Sequence, residues 1–216
     1  MTNNLEDETA IIALSETAEK VEITWQQLRI QVARTANAMI DLRIRPHDRV
    51  VAWAPNVPDT LIFSLAALSI GAVVSTASPD FAPTAVLDRF SQIEPKLLLA
   101  CSNYQYNGKL FNCEKSLAEI VSKLPTLRKV VITGTSFNNY QSLSDWVAPY
   151  HENNLDFIKF AFNHPGFILF SSGTTSKPKC IIHSAAGILL KLRAEQLFNF
   201  DLGKNDKVFF IPQLAG

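Results

Sequence analysis

The residues best suited to chemistry in this 216-residue chain lie in one short loop rich in hydroxyl groups. An apolar stretch at 167–170 leads into residues 171–176, where five of six residues are Ser or Thr and the sixth is glycine. Lys177 and Lys179 follow at once. Hydroxyls and backbone N–H groups around a flexible glycine can wrap phosphate oxygens, and a lysine adds positive charge. The loop is therefore predicted to bind phosphate; from composition alone, a solvated loop that closes a hairpin is the alternative.

Three better-known motifs for phosphate binding or nucleophilic catalysis do not occur in the sequence. Neither Gly108-Lys109 nor Gly203-Lys204 continues to Ser or Thr, as the end of a Walker loop requires. No two glycines are separated by a single residue, so the dinucleotide fingerprint is absent. No Gly-x-Ser-x-Gly elbow of a hydrolase occurs either. The hydroxyl-rich loop remains as the phosphate-binding candidate.

The cysteine and histidine content argues against a metal site and a disulfide framework. Cys101, Cys113 and Cys180 are odd in number and show no short repeat spacing, which favours a reducing compartment. Cys180 and His183 are three residues apart, but no second pair completes a zinc site, so no metal ligand is predicted. His183 ends a predicted strand, where a hydrogen-bonded core histidine and a direct catalytic role are both open.

Charge and hydropathy exclude several classes of partner. Twenty basic and twenty acidic residues give a net charge of zero, which offers no broad electrostatic surface for nucleic acid or an anionic membrane. The uncharged stretch at 60–79 is divided by serines and Gly71, and is predicted to be a buried helix followed by a strand. Acidic residues precede the first basic residue, Lys20, which does not fit a signal peptide. The expected location is the cytosol.

The elements that must position the loop are predicted from the hydrophobic period, which switches repeatedly between two and 3.6 residues. Thr24 is predicted to cap a helix, with Gln27 completing a capping box. Such alternation is typical of an α/β fold built from βαβ units with a mostly parallel sheet. Strands are predicted at 21–23, 49–53, 72–75, 96–101, 129–133, 157–160, 166–170 and 180–183, and helices at 25–39, 57–70, 84–93, 116–124 and 185–198.

Two lobes are predicted. Residues 1–134 form the first α/β lobe, and the polar stretch at 135–156 is read as an irregular connection. Residues 157–216 begin a second lobe, which contains the loop. In the first lobe, Asp88 and Arg89 are most simply a weak ion pair on a helix surface.

The loop resembles the signature of the adenylate-forming enzymes, which include acyl-CoA synthetases, luciferases and peptide-synthetase adenylation domains. That signature usually reads Ser/Thr-Ser-Gly-Thr-Thr-Gly-x-Pro-Lys, and here Ser176 replaces its second glycine. The resemblance implies that the chain is part of the family's large N-terminal, AMP-binding domain. It also implies an ATP phosphate-binding set of Ser171, Ser172, Gly173, Thr174, Thr175, Ser176, Lys177 and Lys179.

Further stretches resemble the acetoacetyl-CoA synthetases within this family. They lie at 71–81, 86–96, 106–109 and 179–185, with Ala82 and Ala186 where that group tends to have glycine. The resemblance implies two steps: ATP activates acetoacetate as an acyl-adenylate, and CoA then displaces AMP. It also implies Mg²⁺. An acetyl-CoA synthetase-like acid–thiol ligase is the alternative within the class.

The family's metal-binding glutamate, ribose-binding aspartate and catalytic lysine are expected beyond residue 216, so the catalytic residues are not assigned. The chain by itself is expected to be inactive: an N-terminal-lobe fragment, or a non-catalytic nucleotide-binding or interaction protein. A third strand is expected at 207–211 after those at 166–170 and 180–183. Loss of the strands that follow would leave five apolar residues partly uncovered: Val208, Phe209, Phe210, Ile211 and Leu214. Self-association through this sheet edge is therefore expected.

Overall fold

A seven-stranded sheet organises the chain. The computed structural model describes residues 6–16, 20–151, 157–171, 177–204 and 206–209. The strands are β1 (Thr9–Ala13), β2 (Val21–Thr24), β3 (Arg49–Trp53), β4 (Val73–Ala77), β5 (Leu97–Ala100), β6 (Asn103–Tyr106), β7 (Lys109–Asn112), β8 (Lys129–Ile132), β9 (Gln141–Ser142), β10 (Pro165–Phe170) and β11 (Cys180–Ser184). The helices are α1 (Trp25–Asp41), α2 (Pro58–Ser69), α3 (Pro83–Phe90), α4 (Glu114–Ser122), α5 (Leu143–Val147) and α6 (Ala185–Ala194), which continues as a π-helical turn, Glu195–Asn199.

The sheet is mostly parallel, as the alternating pattern predicts. Its strand order is β11-β10-β4-β3-β5-β8-β9. β3 pairs in parallel with β4 and β5, and β5 pairs in parallel with β8. β10 joins β4 in parallel through Phe167 and Val74, and β11 then pairs antiparallel with β10. The predicted α/β class is confirmed.

The central strands β3, β4 and β5 are almost wholly buried because helices cover both faces of the sheet. All four residues of β5 are buried, and successive side chains point to opposite sides. Leu97 and Leu99 pack with Phe63 beneath α1 and α2, whereas Leu98 packs with Phe90 beneath α3 and α4. We call these the first and second cores.

Local sequence signals define where α1 begins. The Thr24 hydroxyl accepts a hydrogen bond from the backbone N–H of Gln27 at 3.2 Å. The Gln27 side chain accepts one from the backbone N–H of Thr24 at 2.9 Å. This confirms the predicted capping box.

Residues 157–160, predicted to form a strand, are irregular and lie against the turn before β4. The Phe160 ring stacks on His164 with centroids 4.1 Å apart, and His164 Nε2 lies 2.9 Å from the carbonyl oxygen of Gly71. Gly71 has φ of +76°, and a Cβ there would lie 2.2 Å from Phe160. The segment at 157–160 is therefore positioned by the packing of Phe160 against Gly71, which has no side chain, and not by pairing with a strand.

Three further features differ from the sequence-based expectations. The segment at 135–156 contains β9 and α5, so its described part is not irregular throughout. The β6–β7 hairpin was not predicted, although Asn107-Gly108 is a strong turn signal. Residues 207–209 are not in a strand, and residues 210 and 211 lie outside the described residues; among the described strands, β11 is the outer one on this side of the sheet. The lobe boundaries themselves stay a prediction. Within the described ranges, no helix is long and apolar enough to cross a bilayer.

Candidate functional site

The hydroxyl-rich loop starts at the carboxyl edge of the parallel strands. β10 runs parallel to β4, so its last residue, Phe170, lies at the same edge as the ends of β3, β4 and β5. In open α/β sheets this edge is where ligands bind, because the loops after the strands converge there. The first residue of the loop, Ser171, therefore directly follows a strand end at the edge where ligands bind in such sheets.

The two ends of the loop are held together by the β10–β11 hairpin. Phe170 pairs with Cys180, and the backbone N–H of Ser171 donates to the carbonyl oxygen of Lys179 at 3.1 Å. The backbone N–H of Lys179 donates in return to Ser171 Oγ at 3.2 Å. The loop therefore connects the two strands of a hairpin, as one of the two alternatives predicts. This connection is compatible with the other alternative, a phosphate site in the same segment.

Sequence reasoning missed the contribution of Gln92, which follows α3. Its side-chain amide donates to the carbonyl oxygen of Pro178 at 2.9 Å. The thiol of Cys180 donates to its Oε1 at 3.7 Å. Partial burial raises the pKa of Cys180, so the thiol stays protonated as this bond requires. Gln92 lies far from the loop in sequence, and no local signal could have found it.

The two lysines are open to solvent. Lys177 and Lys179 are both exposed, and neither has an ion-pair partner within the described ranges. Ser172, Gly173, Thr174, Thr175 and Ser176, the middle of the predicted site, lie outside the described residues. Of the predicted set, the structure brings together Ser171 and Lys179, with Lys177 close by in sequence.

The loop after β4 is fixed beside the same edge. Arg89 lies over the Phe81 ring, 4.8 Å from its centroid, and donates to the carbonyl oxygen of Ala85 at 2.8 Å. It makes no ion pair with Asp88, so that expectation is wrong. Partial burial, with a hydrogen bond to the Asp80 carboxylate, raises the pKa of Tyr104 to about 12. Tyr104 therefore stays a neutral hydrogen-bond donor to Asp80.

The described residues bring together no group of three or more His, Cys, Asp or Glu side chains that could hold a metal. His183 is half-buried on β11, opposite Phe167. A cavity of about 890 Å³ in the described part of the chain lies away from the loop. Apolar side chains line much of it, among them Trp25, Leu65, Leu68 and Leu189.

A parallel sheet with this loop at its carboxyl edge is the arrangement of a nucleotide-binding α/β domain. Residues 2–215 match the model of the AMP-binding enzyme family, and the chain belongs to this family. The predicted membership in this family is thereby confirmed.

Within this family, the chain is similar to several acetoacetyl-CoA synthetases. Acetoacetyl-coenzyme A synthetase of Rhizobium meliloti is 37% identical over 208 residues, covering 93% of this chain and 32% of the relative. Acetoacetyl-CoA synthetase of Danio rerio is 38% identical over 220 residues, covering 95% and 33%. The structure of acetoacetyl-CoA synthetase from Streptomyces lividans has a TM-score of 0.87 at 35% identity, covering 93% and 31%. The chain thus spans roughly a third of the length of these proteins.

Proposed function

We propose that this chain serves in the ATP-dependent activation of acetoacetate to acetoacetyl-CoA, as part of a longer ligase. The observation that carries the proposal is the loop at the carboxyl edge, with its stem closed by the paired backbone of Ser171 and Lys179. The similarity to acetoacetyl-CoA synthetases supports the choice of acid. A cytosolic location is proposed from the three free cysteines, which suit a reducing compartment.

In the proposed reaction, acetoacetate attacks the α-phosphate of ATP and pyrophosphate leaves; CoA then attacks the acyl-adenylate and AMP leaves. The chain's share is to hold the β- and γ-phosphates by charge and hydrogen bonds, which is positioning rather than covalent chemistry. Lys179 supplies charge from a fixed backbone position. The other proposed contacts are Ser171, Ser172, Gly173, Thr174, Thr175, Ser176 and Lys177.

The family resemblance also implies Mg²⁺. Because the described residues contain no cluster of metal-ligand side chains, no magnesium ligand is assigned in this chain, and no step here depends on one. CoA is proposed as a co-substrate only, and no residue of the chain is assigned to it.

The acid is tested by pyrophosphate release from a ligase of the relatives' length that includes this chain. We expect much faster release with acetoacetate than with acetate or palmitate. Equal turnover of acetate would favour the acetyl-CoA synthetase-like alternative, and no release with any acid would overturn the ligase proposal.

The role of the loop is tested in the same ligase by single substitutions. Lys179→Ala is expected to weaken the apparent ATP affinity by about 1–3 kcal/mol, the range of a hydrogen bond to a charged group. Lys177→Ala is the matched control and should cost much less, because the signature that the loop resembles accepts many residues at this position and has lysine at the position of Lys179. Equal losses would argue against a specific phosphate contact.

A second candidate concerns the chain on its own: a self-associating protein that binds ATP weakly and does not turn it over. The specific observation is the solvent-exposed outer strand β11, where Ile181 and Ile182 are 45% and 66% exposed. One loop seldom supplies enough contacts to offset the cost of ordering a ligand. Micromolar ATP affinity by calorimetry, or AMP formation by the 216-residue chain, would contradict this candidate.

A further inference from the structure

Two of the three cysteines meet inside the second core. Cys101 directly follows β5, Cys113 directly precedes α4, and the β6–β7 hairpin separates them in sequence. Their sulfur atoms are 3.8 Å apart, and both side chains are buried. The backbone N–H of Cys113 donates to the carbonyl oxygen of Ser102 at 2.8 Å, which holds the two ends of the hairpin side by side. The two sulfur atoms thus come into contact because the hairpin brings the end of β5 beside the start of α4.

The two thiols are not equivalent. The Cys101 S–H donates to the Cys113 sulfur, which lowers the pKa of Cys113 and raises that of Cys101. Burial raises the pKa of Cys101 further. The Asp80 carboxylate acts against both thiolates by charge repulsion. Cys113 is therefore the more readily ionised sulfur, and a thiolate is the reactive form of cysteine.

We propose that Cys101 and Cys113 form an oxidisable pair that closes to a reversible disulfide when the protein meets hydrogen peroxide. A disulfide needs about 2.05 Å between its sulfurs, so these two must approach by roughly 1.8 Å. The hairpin ends already lie next to each other, and the adjustment falls mainly on two small side chains. This modification is independent of the proposed ligase function.

The oxidation proceeds in two balanced steps. The Cys113 thiolate attacks one peroxide oxygen, the O–O bond breaks, hydroxide leaves, and Cys113 becomes a sulfenic acid. Cys101 sulfur then attacks Cys113 sulfur and displaces hydroxide, while the Cys101 proton goes to solvent. In sum, the two thiols lose two hydrogens, the S–S bond forms, and one peroxide is reduced to two waters.

Cys180 provides an internal comparison. It is exposed, and its thiol donates a hydrogen bond to Gln92 rather than to another sulfur. A bulky oxidant such as oxidised glutathione is therefore expected to modify Cys180, whereas a small peroxide reaches the buried pair. Proximity, rather than exposure, decides which cysteines become linked to each other.

The test uses the folded 216-residue chain treated with hydrogen peroxide, followed by blocking of free thiols and tryptic digestion without reductant. Cleavage after Lys96, Lys109 and Lys115 places Cys101 and Cys113 on separate peptides, 97–109 and 110–115. We expect these two peptides to appear as one cross-linked species that a dithiol reductant separates. Cys180 is expected to remain outside any cross-link.

The variants and the unfolded chain make the result decisive. Cys101→Ser or Cys113→Ser should abolish the cross-link, and Cys180→Ser should leave it unchanged. In urea, pairing should lose its preference, because the hairpin no longer holds the sulfurs together. The proposal is overturned if the folded wild-type chain links Cys180, forms sulfinic acid at Cys113 while Cys101 stays free, or resists peroxide that oxidises the unfolded chain. Since the wild-type chain alone reports these outcomes, a variant that fails to fold does not obscure the test.

Discussion

Helices α1 and α6 begin in the same way and end in different environments. A hydroxyl caps each: Thr24 accepts from Gln27, and Ser184 accepts from the backbone N–H of Gly187 at 3.1 Å. α1 buries residues along one side, Leu28, Val32, Ala33, Thr35, Ala36, Ala38 and Met39. α6 buries none, and Leu189 and Leu190 are 70% and 63% exposed.

The difference lies in what packs against each helix. α1 lies on α2 and the first core, whereas α6 follows β11, the outer strand of the sheet. The strands repeat the contrast, because all of β5 is buried and no residue of β11 is. Apolar residues and a capping hydroxyl are enough to form a helix, but the helix is buried only where another element packs against it. We call β3, β4, β5, β8 and α1 to α4 the inner region, and β11, α6 and the π-helical turn the outer region.

The largest expected effect comes from emptying a buried site in the inner region. Phe90 is fully buried in the second core, so Phe90→Ala should lower the free energy of unfolding by about 3–5 kcal/mol. Phe198→Ala in the outer region is the matched control: Phe198 is 82% exposed, and the change should stay within about 0.5 kcal/mol. Urea unfolding followed by circular dichroism measures both. Similar losses would mean that the outer region is packed in solution.

A smaller effect is expected at the turn that anchors residues 157–164 to the inner region. Gly71→Ala combines a positive φ with a Cβ 2.2 Å from Phe160, and should destabilise the chain by about 2 kcal/mol or more. Gly108→Ala also meets a positive φ, but nothing lies within 4 Å, so about 1 kcal/mol is expected. Thermal unfolding of both variants separates steric cost from backbone strain. Equal costs would show that Phe160 moves aside freely.

Charge on the outer strand should weaken self-association. Ile182 is 66% exposed on β11, where a lysine opposes strand pairing with another chain. Ile182→Lys is expected to raise the dissociation constant about tenfold, equivalent to ~1.4 kcal/mol. Ile40→Lys, on exposed α1 surface, should leave association unchanged. Sedimentation velocity measures the constants, and a wild-type chain that stays monomeric at high concentration and binds no hydrophobic dye contradicts the expectation.

The smallest expected effect is a pH dependence of the free energy of unfolding, caused by a partly buried carboxyl group in the inner region. Burial raises the pKa of Asp59 at the start of α2, despite a hydrogen bond from the Gly134 N–H at 3.1 Å. Stability from such a group is full below the ordinary pKa of 3.8 and is lost as pH rises through the raised value. Asp59→Asn should therefore gain stability relative to wild type as pH rises through that range.

Asp145 is the control of opposite sign. Hydrogen bonds from Ser136 and Ser142 hold the pKa of its carboxyl below the ordinary value. Its contribution is present above the ordinary pKa and is lost as pH falls through the lowered one. Asp145→Asn should be less stable than wild type near neutral pH and equal to it in acid. Urea midpoints across this range test the pair, and parallel curves for the two variants would contradict both assignments.

Features that depend on neighbouring residues in the chain can be predicted from the sequence alone. The capping box needs only Thr24 and Gln27, and a buried parallel strand is readable from an unbroken apolar run such as β5. The hydroxyl-rich loop was recognisable for the same reason, since its hydroxyls, glycine and lysines are consecutive. The Asn107-Gly108 turn, where both residues have positive φ, depends on an equally local pair of residues.

Contacts between residues that are distant in the sequence depend on the fold. Gln92 reaches Cys180 across 88 residues, and His164 reaches Gly71 across 93. The Cys101–Cys113 contact depends on a hairpin that brings the end of β5 beside the start of α4. Exposure of α6 was equally undetermined, because its residues resemble those of a buried helix. The physical reason is the same for these three contacts and for the exposure of α6. The chemical groups of a residue limit the kinds of contact it can make, but the order of strands in the sheet determines which residues come close enough to make them.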